Sequence, residues 1–134
     1  MAMRHPLIQH IRYRAHSALP RLYPSALCRL EDPRCVGVTI DDGPSAATPR
    51  LLDALDAQGM RATFFLSGAS TERHPALARA IRDRGHAIAS HGFAHEDLLR
   101  GSRTEIEADL RRSLAVIETV TGVRPRFYRP PYGR

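Results

Sequence analysis

Residues 36–44 read Val-Gly-Val-Thr-Ile-Asp-Asp-Gly-Pro. Val36–Ile40 is a short β-branched run, the pattern of a buried strand. Gly43 and Pro44 stop it and turn the chain. Asp41 and Asp42 therefore stand at the strand's carboxyl end, which in parallel sheets and βα barrels is the end that carries the site. Strand-to-helix loops also favour Asp, so the pair alone does not specify chemistry.

Outward from this stretch, strand and helix patterns alternate. Thr48–Gln58 predicts a helix with Leu51, Leu52 and Leu55 on one side and Gly59 as its stop. Ala62–Leu66 predicts a second buried strand. Pro75, after His74, fits the first position of another helix, which Gly85 closes. His86–Ser90 is a third strand. Ser102 and Glu105 have capping-box spacing. Behind them Ile106, Leu110, Leu114, Ile117 and Thr121 keep a helical period as far as Gly122. Arg126–Arg129 is a fourth strand candidate. About four βα units in this order predict an α/β fold with a parallel sheet. A closed barrel of this kind takes ~250 residues. This chain has 134, so the expectation is a partial (β/α) barrel over residues 36–134.

Residues 1–35 differ in character. They hold six Arg against Glu31 and Asp32, a surplus of four, whereas residues 36–134 hold fourteen Arg against twelve acids, a surplus of two. A nearly neutral body argues against nucleic-acid binding, while an anionic surface could attract the N-terminal stretch. Leu7, Ile8, Ile11, Ala15, Ala18 and Leu19 fall at helical spacing until Pro20. They predict a basic helical extension, packed on the domain or lying at a membrane surface. Gln9, His10, Arg12 and Arg14 interrupt the apolar stretch, unlike a secretory signal. No apolar run approaches the ~20 residues of a spanning helix. The expectation is a cytoplasmic or membrane-peripheral chain, or one whose start lies upstream. Cys28 and Cys35 could pair, but read rather as two free thiols, and no CxxC spacing marks a cysteine metal site.

The chemistry concentrates in three clusters. His91 and His95 follow the third strand, again at its carboxyl end. Spacing i, i+4 on a helical turn puts both imidazoles on one side, within reach of one metal ion. With one carboxylate of the Asp41–Asp42 pair they form a metal triad that leaves positions for water and substrate. Such an ion lowers the pKa of a bound water from ~15.7 to ~7. The other aspartate must stay off the metal to act as a base, and these residues alone do not say which. Arg129-Pro-Pro-Tyr-Gly133 adds a rigid rim, an arginine able to grip a carboxylate, and Tyr132, either a cleft wall or a core residue.

Thr39-Ile-Asp-Asp-Gly-Pro44, His91-Gly-Phe-Ala-His95 and Arg129-Pro-Pro-Tyr-Gly133 resemble, in order and spacing, the first three signatures of the polysaccharide deacetylases, the family-four carbohydrate esterases. Gly59-Met-Arg-Ala-Thr-Phe-Phe65 and Gly85-His-Ala-Ile-Ala-Ser-His91 fit as well. The resemblance covers about residues 36–134. It implies that Asp42, His91 and His95 bind a divalent metal, commonly Zn2+. It implies that Asp41 is the general base and that Arg129 orients it. The backbone N–H of Tyr132 would help to stabilise the tetrahedral oxyanion, a contribution of ~3–4 kcal/mol per donor. The implied reaction removes an acetyl group from an N-acetylated, or less often O-acetylated, sugar of a polysaccharide.

Three departures stand out. Ile40 occupies a position where Phe is more usual. Gly92 stands where the family often has Ser or Thr, so a hydroxyl that could brace the metal loop is missing. The later signatures, which supply an opposite groove wall and a histidine general acid, have no counterpart, and His5, His10, His16, His74 and His86 match none of them. The expectation is a member truncated after the third signature, impaired by loss of an acid worth ~10²–10⁴-fold. A half-barrel with open strand edges should also be poorly soluble or associate with a partner. Two other readings start from the same residues. One is a non-catalytic glycan-binding or interaction fragment of this fold. The other is an iron oxygenase triad, which the strand–helix alternation disfavours.

Overall fold

A computed structural model describes residues 36–133. The predicted helix over residues 7–19 and the two cysteines lie outside the described residues. Three strands, β1 (Val38–Gly43), β2 (Ala62–Leu66) and β3 (Ala87–Ser90), form a parallel sheet in the order β1-β2-β3. The connections carry α1 (Thr48–Ala57) between β1 and β2, and α2 (Gly68–Arg73) and α3 (Pro75–Asp83) between β2 and β3. The long helix α4 (Arg103–Thr121) follows β3. The parallel α/β expectation holds.

Burial explains the arrangement. β2 is central, and its Phe64 and Leu66 are almost fully buried, as are Leu52 of α1, Ile81 of α3 and Ile117 of α4. With Leu55, Ala78 and Ile88 they make one apolar cluster. A central parallel strand covered on both faces reads as a continuous apolar run, which is why Ala62–Leu66 was legible. α4 begins with the predicted capping box: the Ser102 hydroxyl accepts from the Glu105 amide, and the Glu105 carboxylate accepts from the Ser102 amide. It ends at Gly122 in the left-handed conformation.

Four expectations need correction. β1 begins at Val38 and runs on through Asp41 and Asp42 to Gly43, so the aspartates lie within the strand instead of beyond it. α2 was not foreseen, because Gly-Ala-Ser-Thr is a weak helix signal; Ser67 caps it by accepting from the Ser70 amide. The fourth strand is reduced to one parallel bridge between Ser90 and Tyr128. Pro125, Pro130 and Pro131 flank that segment and supply no N–H to a ladder. Finally, the inward face of α4 is shifted near its middle, where Ser113 is buried in place of an apolar residue. The buried line runs through Ser113, Ile117 and Thr121, with Leu110 and Leu114 only half-buried. Among the described residues no helix is long and apolar enough to cross a membrane.

Candidate metal centre

The carboxyl ends of β1 and β3 deliver the predicted residues to one place. A regular pleat sends neighbouring side chains to opposite faces. Here the β1–β2 register breaks between Ile40 and Gly43, so Asp41 and Asp42 together oppose the single residue Phe65. Asp42 takes the left-handed conformation, φ 67°. A bulge of this kind re-aims side chains. As a result Asp42 reaches the two histidines, while Asp41 faces Arg129.

Asp42 Oδ1 lies 3.4 Å from His91 Nε2 and 2.9 Å from His95 Nε2. One donor atom from each residue falls within 4.8 Å of the other two. Side-chain exposure rises from 4% at His91 through 33% at His95 to 69% at Asp42. The cluster is thus anchored at one side and open at the other, which leaves room for a water and a substrate group. The imidazole rings meet edge to face, centroids 5.1 Å apart.

The ring nitrogens fit a metal. His91 Nδ1 lies 2.7 Å from the Arg129 main-chain carbonyl. A carbonyl only accepts, so Nδ1 must carry the hydrogen and the Nε2 lone pair faces the cluster in the neutral ring. Tying down the far nitrogen of a ligating histidine in this way is the usual support of a metal site. Two imidazoles and one carboxylate suit Zn2+ and similar divalent ions.

Asp41 stands apart from this set. Its Oδ1 accepts from Arg129 Nη1 at 2.6 Å, and the same nitrogen donates to Thr39 Oγ1 at 3.0 Å. The Arg129 guanidinium also stacks over the Phe65 ring at 3.9 Å. Tyr132 sits on a short turn, Pro131–Gly133, with φ 60°. Its exposed ring meets His95 edge to face at 5.1 Å.

The expected helical turn between the histidines is absent. His91 to His95 is an irregular loop, and His95 has φ 58°. Among the described residues the non-glycine positions with positive φ are Asp42, His95 and Tyr132. Backbone held in a sparsely populated region at three predicted site residues marks a place where the surrounding structure overrides local preference. Beside His95 and Tyr132 opens a cavity of about 600 Å³, also walled by Leu98, Arg100, Ile106 and Asp109.

Sequence reasoning missed Asp109, Ser113 and Ser90. Ser113 Oγ lies 2.8 Å from Ser90 Oγ and donates to the Gly92 carbonyl at 3.0 Å. The missing hydroxyl at Gly92 is therefore offset by hydroxyls from β3 and α4. Gly92 itself has φ 81°, where a side chain is strained. The available signal was the polar face of α4: Asp109 and Ser113 share the inward side with Ile106 and Ile117, where apolar residues were expected.

A family model described as polysaccharide deacetylase matches residues 30–134. A peptidoglycan-N-acetylglucosamine deacetylase of Bacillus cereus is 35% identical over 99 residues, which is 73% of this chain and 36% of the relative. A chitin deacetylase of Colletotrichum lindemuthianum is 37% identical over 105 residues, 75% of this chain and 42% of the relative. Among solved structures, a family 4 carbohydrate esterase from Streptomyces lividans in complex with acetate matches with a TM-score of 0.72 and 37% identity. That match covers 74% of this chain and 52% of the other. The chain thus spans well under half the length of these curated relatives and about half of that structure.

Proposed function

The chain belongs to the polysaccharide deacetylase family, and from that premise we propose that it is a metal-dependent hydrolase removing acetyl groups from the N-acetylated sugars of a polysaccharide. The observation that carries this reading is the unlike placing of two adjacent aspartates. Asp42 lies against both imidazoles, whereas Asp41 is turned to Arg129. Asp42, His91 and His95 would hold the cation. A divalent ion bound there supplies Lewis acidity and lowers the pKa of a water to ~7.

The remaining steps belong to the chain. Asp41 takes a proton from the attacking water, Arg129 fixes the carboxylate that receives it, and that proton passes to the sugar nitrogen as the carbon–nitrogen bond breaks, releasing acetate and the free amine. The Tyr132 backbone N–H, on the turn beside His95, donates to the oxygen of the acetyl carbonyl as negative charge develops there. The names of the relatives, a peptidoglycan-N-acetylglucosamine deacetylase and a chitin deacetylase, support an acetylated polysaccharide as substrate class.

The test is acetate release from N-acetylglucosamine oligomers by the 134-residue chain, with added Zn2+ and again after chelation. Release that needs the metal supports the reading. Metal binding without release under any condition favours the non-catalytic alternative.

A further inference from the structure

The backbone between His91 and His95 is held from two sides. At the start of α2, the amides of Gly68 and Ala69 donate to the carbonyls of Gly92 and Phe93 at 2.9 and 3.1 Å. From α4, both carboxylate oxygens of Asp109 are engaged: Oδ2 accepts from the Phe93 amide at 2.8 Å, and Oδ1 from the Ala94 amide at 3.0 Å. The loop has no helical hydrogen bonding of its own, and its last residue, His95, sits at φ 58°. A left-handed conformation at a residue with a Cβ persists only where the surroundings impose it. The neighbouring glycines fit this grip. A Cβ at Gly92 would come within 3.0 Å of Asp109 Oδ2, and one at Gly68 would meet the Phe93 ring at 2.4 Å. The Phe93 ring is covered by the Arg112 guanidinium, which lies 3.5 Å from its centroid, again from α4.

We propose that Asp109 is a positioning residue for the metal centre: its carboxylate clamps the Phe93 and Ala94 amides and so aims His95 at Asp42. The inference rests on the reading of Asp42, His91 and His95 as metal ligands. The chemistry requires a carboxylate. It offers two acceptor oxygens and no donor, so it can take both amides at once. Its hydrogen bonds are also stronger than those of a neutral acceptor. An asparagine keeps one acceptor and turns an NH2 group against the other amide. Asp109 acts through the loop backbone, not on the reacting atoms.

The test uses the whole chain and Zn2+ alone as probe, competed against a chromogenic chelator. The wild type is expected to bind one equivalent, and His91→Ala with His95→Ala to bind none. A wild type that binds none overturns the metal reading and this inference together. Where the wild type binds, Asp109→Asn is expected to weaken Zn2+ by about 10–100-fold, the usual effect of losing an outer support of a metal ligand. It should also shift the visible spectrum of the Co2+-loaded protein, which reports the ligand geometry. Ile117→Val, at a fully buried position further along the same helix, loosens the packing and should leave both readouts unchanged. Wild-type affinity and spectrum in Asp109→Asn, or an equal loss in Ile117→Val, overturns the proposal while leaving the metal reading intact. If circular dichroism shows that the asparagine variant does not fold, Asp109→Glu replaces it with the same expected weakening. If neither folds, Asp109 serves the fold instead, and the proposal fails.

Discussion

The Arg129 main-chain carbonyl lies 2.7 Å from His91 Nδ1, joining residues 38 positions apart in the chain. The same arginine sends its guanidinium to Asp41 at 2.6 Å. One residue therefore holds His91 with its backbone and Asp41 with its side chain, which under the proposed roles are the metal half and the base half of the site. Substitution removes only the second contact, so the two halves can be tested separately.

Arg129→Ala should keep Zn2+ affinity near that of the wild type, because the carbonyl remains. Acetate release should fall by about 10²-fold, the effect of a misplaced catalytic group. Paired measurements of Zn2+ binding and acetate release check this; a parallel loss of both would contradict the separation. Arg129→Lys should behave much like the alanine variant, since a lysine cannot reproduce the fork and the stacking on Phe65.

Asp41→Asn should lower acetate release by about 10²–10⁴-fold, the range of general base catalysis, with Zn2+ still bound. Asp42→Asn should instead weaken Zn2+ itself. If calorimetric Zn2+ titrations gave the reverse pattern, the roles of the two aspartates would have to be exchanged.

Tyr128 offers a prediction about pH. Burial, and secondarily the Asp109 charge, push its phenol up to about 12 from 10.0. Its hydroxyl is buried with no hydrogen-bond partner among the described residues. The folded state thus favours the neutral phenol. That contribution is complete below pH 10 and is lost as the pH rises from 10 towards about 12. Tyr128→Phe should be neutral or stabilising at pH 7, since it removes an unpaired polar atom. Its advantage over the wild type should widen above pH 10. Urea melts at pH 7 and pH 11 measure both effects, and a destabilised phenylalanine variant at pH 7 would count against the buried, unpaired hydroxyl.

Ile81 is fully buried in the cluster formed by α1, α3, α4 and the sheet. Ile81→Ala should cost about 2–5 kcal/mol of unfolding free energy through lost apolar burial and the cavity left behind. Chemical denaturation monitored by circular dichroism reads this directly.

Legibility in the sequence followed the range of the forces involved. The three strands and the capped helix α4 were readable because period, β-branching, capping residues and breakers act within a few positions. Even there, local signals misjudged what packing sets. β1 extends through two charged residues because the ladder to β2 continues past Ile40, with a bulge in place of a stop. The segment around Tyr128 stays a single bridge because the prolines on either side of it cannot extend the ladder. The i, i+4 spacing of the histidines suggested a helical turn. The structure instead has a loop whose amides and carbonyls are bonded to α2 and α4.

By itself the sequence determined the order of the three strands and of α1, α3 and α4, the end of the sheet where charge gathers, and which residue types gather there. Those follow from side-chain chemistry and short-range periodicity. Family resemblance apart, tertiary structure decided which aspartate meets the histidines, which ring nitrogen faces the cluster, and what holds the loop between them. Each depends on a bulge set by the neighbouring strand, or on a hydrogen bond between residues far apart in the chain, and such contacts exist only once the sheet and α4 have packed.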